Sequence, residues 1–151
     1  KDLSVFTFEG DNDGVEVSNT VVEPTGNQKG FAIGFPDVLS SEWKESNNPL
    51  ISFGRMYKEQ PKVVTPALRA ILEEGLRTHE EPVENLDRYL QDLDIYFTGI
   101  ILGGNSGCPL VDKNGKVLGI CHGVREKGDE TGRFTDFRPI LNEVIKGTSR
   151  L

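Results

Sequence analysis

Residues 103–123, GGNSGCPLVDKNGKVLGICHG, place one serine among glycines and then run into two apolar segments separated by Asn114-Gly115. An Asn-Gly pair between apolar runs is the strongest short-range signal for a tight hairpin turn with positive φ. A serine hydroxyl becomes an effective nucleophile only when a base takes its proton and preset donors hold the oxyanion that forms. The stretch therefore predicts a β-hairpin with a candidate nucleophile, Ser106, on the loop that precedes it.

The glycines around Ser106 suit such a loop. Without a Cβ, they let backbone amides turn toward one point and leave room for a substrate. The amides of Gly104 and Ser106 are the expected oxyanion donors. A Gly-x-Ser-Gly sequence also arises by chance in turns, so the rest of the chain must decide whether this one is catalytic.

Length and composition limit the alternatives. A chain of 151 residues with 36% hydrophobic content predicts one domain or part of one, and 17 glycines with many short apolar runs favour a β-rich fold. The formal charge of -7 argues against nucleic acid or an anionic membrane as the main partner. The sequence contains no run of 18 apolar residues, so it predicts no membrane-spanning helix. The two cysteines and two histidines lack metal-ligand spacing, so we expect no metal and no cofactor.

Turn signals divide the chain into short strands and two helical segments. Predicted strands cover residues 3–8, 15–22, 30–36, 50–57, 94–102 and 132–137, in addition to the hairpin. Thr65 and Pro66 begin a predicted helical hairpin over 65–93, whose second helix would use Val83, Leu86, Leu90 and Leu93. A closing helix is expected over 137–147, capped by Asp136 and ended by Gly147.

Several of these segments resemble one known family in the same order. Residues 104–111 and 114–120 are similar to the nucleophile loop and following hairpin of the trypsin-like, chymotrypsin-fold serine peptidases. Asn105 and the preceding residues 98–103 are closest to the bacterial high-temperature-requirement protease branch. Further similar segments are residues 2–5, 30–36 and 132–135. The resemblance covers nearly the whole chain, with residues 62–93 as an insertion that the family does not usually carry.

The resemblance implies an all-β fold, the C-terminal β-barrel of a double-barrel peptidase. Residues 1–10 would be the last strand region of the first barrel, and 11–151 the second barrel with the inserted helices and the closing helix. Ser106 would be the nucleophile of a serine endopeptidase, and Asp2 would orient the catalytic histidine. That histidine precedes the aspartate in the family, so it is absent here. We expect it to be supplied by a missing upstream half or by a second polypeptide that carries the N-terminal barrel.

The two histidines of this chain fall elsewhere in the order. His79 lies in the inserted helical segment and is expected to be a solvated residue at a helix end. His122 and Gly123 fall where the family lines its substrate-binding strand, Ile100 falls at the base of the primary pocket, and Gly132 at its wall. An apolar floor disfavours a basic side chain, which would be unpaired there. We expect an apolar residue before the scissile bond of a peptide or protein substrate.

The cysteines leave two questions open. Some relatives of this fold use a cysteine nucleophile, but Cys108 comes two residues after the expected position, so Ser106 is preferred. A two-residue turn at Asn114-Gly115 would place Cys108 opposite Cys121, whereas a longer turn over 112–115 would slip the register and separate them. Either a disulfide or two reduced, buried thiols is compatible with the sequence.

Two other functions remain possible on the sequence alone. The chain could be a catalytically inactive peptidase-fold module that binds peptides or partners, for instance through the inserted helices. It could also be an interaction or structural β-domain whose glycine loop is coincidental. The intact GGNSG loop at 103–107 favours the peptidase, because an unneeded oxyanion turn is readily lost.

Overall fold

The computed structural model describes Phe6, Gly10 and residues 13–37, 48–59, 64–86, 93–124 and 131–145. Six strands, two α-helices and one 3₁₀ turn fall within these residues. In chain order they are β1 (Gln28–Gly34), β2 (Leu50–Tyr57), α1 (Pro66–Thr78), the 3₁₀ turn (Val83–Asn85), β3 (Asp94–Phe97), β4 (Pro109–Val111), β5 (Val117–Val124), β6 (Gly132–Thr135) and α2 (Arg138–Ile145).

The six strands form a closed antiparallel barrel in the order β1-β2-β3-β6-β5-β4. β1 pairs with β4 and so closes the barrel, with Phe31 opposite Val111 and Ala32 opposite Leu110. Closure pairs the strand edges that would otherwise be exposed. The all-β barrel expected from the sequence is confirmed.

Alternating side chains of these strands fill the barrel. Ile95, Phe97, Leu110, Leu118 and Phe134 are completely buried. The rings of Phe97 and Phe134 meet edge to face with centroids 5.7 Å apart, an arrangement that aromatic pairs favour. Both cysteines belong to the same apolar cluster, so the loop that carries Ser106 is anchored directly to the core.

The hairpin between β4 and β5 uses the longer of the two turns considered above. The amide of Gly115 donates to the carbonyl of Asp112 at 3.0 Å, and Gly115 has a φ of +77°, the positive value predicted for this position. A one-residue register shift follows, because Leu110 pairs with Gly119 and Val111 with Val117. This shift is a β-bulge in β5, and it restores the strand register that the longer turn displaces by one residue, so that Cys108 again falls opposite Cys121. The expectation that this turn would separate the two cysteines is therefore wrong.

Asp112 holds this turn through its buried side chain. Its Oδ1 accepts from the amides of Asn114 at 2.8 Å and Lys116 at 3.0 Å. Its Oδ2 accepts from the Ser18 hydroxyl at 2.6 Å, which fixes the segment before β1 to the hairpin. One carboxylate thus stabilises both a local turn and a contact between distant parts of the chain.

We expect Asp112→Ala to lower the free energy of unfolding by about 2 kcal/mol, because buried donors lose a charged acceptor. Urea denaturation followed by circular dichroism measures the change. The control is Lys113→Ala in the same turn, whose side chain is exposed and should change stability by less than about 0.5 kcal/mol. Equal losses for the two variants would contradict the role given to Asp112.

Several predicted boundaries differ from the observed ones. β2 matches its predicted range, β1 begins two residues earlier than predicted, and β3 stops at Phe97 rather than at residue 102. The predicted strand over 15–22 is wrong, since this segment makes only an isolated bridge between Val17 and Val117. Its carbonyls at Ser18 and Thr20 accept instead from the Arg138 guanidinium, at 3.0 and 2.6 Å. The predicted strand over 3–8 lies outside the described residues apart from Phe6.

The chain divides into two compact units, residues 1–58 with 94–151, and residues 59–93. In the second unit Thr65 caps α1 by accepting from the amide of Leu68 at 3.2 Å, and Pro66 occupies the first helical turn, as predicted. The predicted second helix begins as the 3₁₀ turn, and residues 87–92 lie outside the described part. No helix within the described ranges is long and apolar enough to cross a membrane.

Candidate active site

Ser106 lies on a loop made of two consecutive turns that share Asn105. The amide of Asn105 donates to the carbonyl of Leu102 at 3.1 Å, and the amide of Cys108 donates to the carbonyl of Asn105 at 2.9 Å. Gly104 is the third residue of the first turn, with a φ of +93°, and Gly107 is the third residue of the second, with a φ of +86°. A positive φ at this position is the mark of a type II turn and favours glycine. The backbone conformation thus requires glycine at these two positions. Ser106 is the second residue of the second turn and is exposed.

The backbone amides of this loop fall into two groups. Those of Asn105, Gly107 and Cys108 donate to carbonyls within the barrel unit. Those of Gly104 and Ser106, the expected oxyanion donors, donate to no backbone carbonyl in the described part of the chain. The amide of Gly103 likewise has no backbone acceptor among the described residues, so the loop bonds three of its amides and leaves three, including the two predicted donors, without one there.

Cys108, the alternative nucleophile, has a different environment. Ser106 is exposed, whereas the Cys108 side chain is buried in the core cluster. The hydrogen bond with Cys121 and burial together raise the pKa of the Cys108 thiol well above its usual range. A nucleophilic cysteine needs an accessible thiolate. Between the two candidates, the geometry favours the Ser106 hydroxyl.

Asn105 fastens the loop to β1. Its side chain is 4% exposed, and its Oδ1 has no hydrogen-bond partner among the described residues. A Cβ added at Gly34 would lie 2.6 Å from this oxygen, so the amide packs directly against the glycine backbone of β1. Neither the burial of Asn105 nor its contact with Gly34 was predicted from the sequence.

Asp37 lies next to the same loop and was also missed. Its amide donates to the carbonyl of Gly103 at 2.7 Å. A Cβ added at Gly104 would lie 2.6 Å from Asp37 Oδ1 and 2.7 Å from its amide nitrogen. The segment after β1 therefore packs closely on the glycines that precede Ser106. Only the proline and acidic residue that end the GFAIGFPD run hinted at a turn here.

His122 lies at a bulge in β5, where Cys121 pairs with Phe134 and Gly123 pairs with Arg133. Its Nε2 is 2.9 Å from Asp94 Oδ1 at the start of β3. The other oxygen of Asp94 accepts from the Arg133 guanidinium. Burial alone would raise the pKa of Asp94, but the hydrogen bonds from Arg133 and His122 outweigh it and hold that pKa below its usual range. Within the described residues, the His122 ring thus bonds to an acid on β3, across the intervening strand β6.

The remaining pocket candidates are placed as follows. Ile100 is 68% exposed, so the described residues do not enclose it as a pocket floor. Its neighbour Ile101 is buried, and a Cβ added at Gly132 would lie 2.7 Å from Ile101 Cγ1. Gly132 therefore allows β6 to pack on Ile101. Gly123 has a φ of +152° within the β5 bulge.

Two sequence candidates remain, His79 and Asp2. His79 ends α1 in the second unit, where its Nδ1 is 2.9 Å from the carbonyl of Gly75 and its side chain is exposed. Asp2, the proposed partner of the catalytic histidine, lies outside the described residues.

Solved structures with a similar fold are proteases or protease-like proteins. The active form of the Rv3671c protease from M. tuberculosis matches with a TM-score of 0.51 and 15% identity, over 91% of this chain and 49% of that one. The inactive form matches with 0.51 and 17%, over 87% and 54%. A scabies mite inactivated protease paralogue matches with 0.51 and 17%, over 91% and 55%.

These likenesses establish the trypsin-like protease fold alone, because the identities are low. The chain spans about half the length of the solved structures that it matches. No protein-family model and no curated protein matches the sequence. The predicted trypsin-like barrel is confirmed, whereas the assignment to the high-temperature-requirement branch stays a prediction.

Proposed function

We propose that this chain is the C-terminal portion of a trypsin-like serine endopeptidase, similar to the bacterial high-temperature-requirement branch. Ser106 attacks the scissile carbonyl, and the amides of Gly104 and Ser106 stabilise the oxyanion. The observation that carries the proposal is the pattern of amide bonding in the loop. Three amides are internally bonded, while the two at the required positions, beside an exposed hydroxyl, donate to no described carbonyl.

The chemistry follows from that arrangement. A histidine base removes the Ser106 proton as the Oγ–C bond forms, and the tetrahedral intermediate places its negative oxygen on the two amides. The protonated base then gives its proton to the leaving amine, which forms the acyl-enzyme, and water repeats the sequence to release the acid. Asp2 orients the histidine in this proposal.

In this proposal the histidine comes from the N-terminal barrel, carried either by an upstream half of the same protein or by a second polypeptide. His79 and His122 both follow Asp2 in the sequence, so neither has the place in the order histidine, aspartate, serine that the mechanism needs. The length of the solved neighbours, about twice that of this chain, supports a missing half.

Substrate contacts are proposed at Ile100, His122, Gly123 and Gly132, with an apolar side chain before the scissile bond. The exposed side chain of Ile100 gives an apolar surface rather than an enclosed floor in this unit. In this proposal, residues of the second polypeptide or the substrate itself cover it.

A fluorophosphonate probe tests the nucleophile. In the complex with the histidine-bearing polypeptide, we expect stoichiometric labelling at Ser106, located by peptide mass spectrometry. Ser106→Ala should abolish labelling, and Cys108→Ala should preserve it. Labelling that survives Ser106→Ala and maps to Cys108 would contradict the assignment.

The second candidate function is an inactive peptidase-fold module that binds a peptide or a protein partner. The fold is shared with a scabies mite inactivated protease paralogue, which favours keeping this alternative. A folded complex that contains a histidine-bearing partner but takes up no probe at Ser106 would support the binding module over the enzyme.

A further inference from the structure

Cys108 and Cys121 face each other at the base of the nucleophile loop. The amide of Cys121 donates to the carbonyl of Cys108 at 2.8 Å, and the amide of Gly107 donates to the carbonyl of Cys121 at 2.8 Å. With Gly107 at a φ of +86°, this is the pattern of a bulge in which Gly107 and Cys108 together oppose Cys121. Opposed residues of antiparallel strands have Cα atoms roughly 4.5–5.5 Å apart, within the range that a disulfide spans.

The two side chains also point to the same side of the sheet. Both thiols are free, and both are buried in the same core cluster. Two thiols at opposed positions of paired strands, on the same side of the sheet, can form a bond between their sulfurs with only local movement of the backbone. The pair lies beside the exposed residues Ser106 and Gly107, so a local opening of this loop would admit a small oxidant to the buried thiols.

We propose that Cys108 and Cys121 form a reversible cross-strand disulfide, a redox modification site that fixes the Ser106 loop to β5. The oxidant is a hydroperoxide. The Cys121 thiolate attacks the peroxide and the O–O bond breaks, so that Cys121 becomes a sulfenic acid and the other peroxide oxygen leaves as alkoxide or hydroxide, which takes a proton from water. The Cys108 sulfur then displaces that hydroxyl, and its proton leaves with the hydroxyl as water. Two electrons pass from the sulfurs to the peroxide, and a dithiol reductant reverses the change.

The thiols differ in their readiness to react. The hydrogen bond from Cys108 lowers the pKa of Cys121 to about 7 in spite of burial, so Cys121 is the attacking thiolate and Cys108 the resolving thiol. We expect the oxidation rate to fall about tenfold for each pH unit below that value, because only the thiolate attacks the peroxide. This site is independent of whether Ser106 is a nucleophile.

Hydrogen peroxide at low molar excess tests the proposal on the purified protein, followed by denaturation and alkylation with maleimide. We expect the wild-type chain to lose the mass of two hydrogen atoms, to take up no maleimide, and to recover both reactive thiols after dithiothreitol. Peptide mapping should show Cys108 joined to Cys121 within one chain.

The single variants separate the two roles. Cys108→Ser should accumulate a sulfenic acid at Cys121 that dimedone traps, whereas Cys121→Ser should react far more slowly. Two alkylatable thiols after oxidation of the wild type would overturn the proposal, as would a gain in oxygen mass or a bond between two chains. None of these readouts uses peptidase activity, so this proposal and the proposed function can fail separately.

Discussion

Replacing Gly104 with alanine will reduce fluorophosphonate labelling of Ser106 by about 10²- to 10³-fold, the loss typical of removing one oxyanion donor. Gly104 has a φ of +93°, which L side chains rarely adopt. The new Cβ would also lie 2.6 Å from Asp37 Oδ1 and 2.7 Å from the Asp37 amide nitrogen. The loop must rotate to relieve both contacts, and in the proposed mechanism this rotation turns the Gly104 amide away from the oxyanion.

Gly26→Ala is the matched control for this variant. Gly26 also has a positive φ, +71°, in the turn before β1, but a Cβ there meets nothing within 4 Å. Both variants should lose about 1–2 kcal/mol of stability through backbone strain, whereas only Gly104→Ala should lose labelling. The measurements are labelling rates in the complex and urea denaturation of each variant. Equal labelling rates for the two variants would rule out Gly104 as an oxyanion donor.

The nucleophile loop and the hairpin were predictable because their geometry depends on residues close together in the chain. Glycines at the third position of type II turns, and Asn114-Gly115 between apolar runs, specify backbone conformations directly. β2 was predicted to the residue for a similar reason: an apolar run with a turn signal before it.

The failures come from contacts between distant residues. The valine-rich segment 15–22 has the composition of a strand. Its Ser18 hydroxyl instead donates to Asp112, and the Arg138 guanidinium donates to two carbonyls of the segment. The bond between His122 and Asp94 joins positions 28 residues apart. The opposition of Cys108 and Cys121 depended on a bulge at Leu118 that no local pattern indicates.

Asp136→Asn is expected to cause the largest loss of stability, about 3–5 kcal/mol in urea denaturation, the cost typical of removing one partner of a buried ion pair. The Asp136 carboxylate accepts from Lys58 Nζ at 2.7 Å and from the Arg138 guanidinium at 2.8 Å through each of its oxygens. Asp136 is buried, and Arg138 in turn holds the carbonyls of Ser18 and Thr20. An amide at this position would leave two cations without their counter-charge.

The stabilisation that Asp136 provides should depend on pH. Burial alone would raise the pKa of Asp136, but the hydrogen bonds from Arg138 and Lys58 outweigh it and hold that pKa below its usual range. Its stabilising effect is therefore full above the unfolded-state pKa of about 4 and is lost as the pH falls through the folded value. The stability difference between wild type and Asp136→Asn should be constant near neutral pH and shrink below about pH 4.

Glu16→Gln provides the comparison for this pH series. Glu16 forms an ion pair with Lys116 at 3.1 Å, but its side chain is 76% exposed, so the loss should stay below about 1 kcal/mol. If Asp136→Asn cost no more than Glu16→Gln, or if its cost did not shrink in acid, the Asp136 carboxylate would not be the charge that ties Lys58 and α2 to the segment before β1.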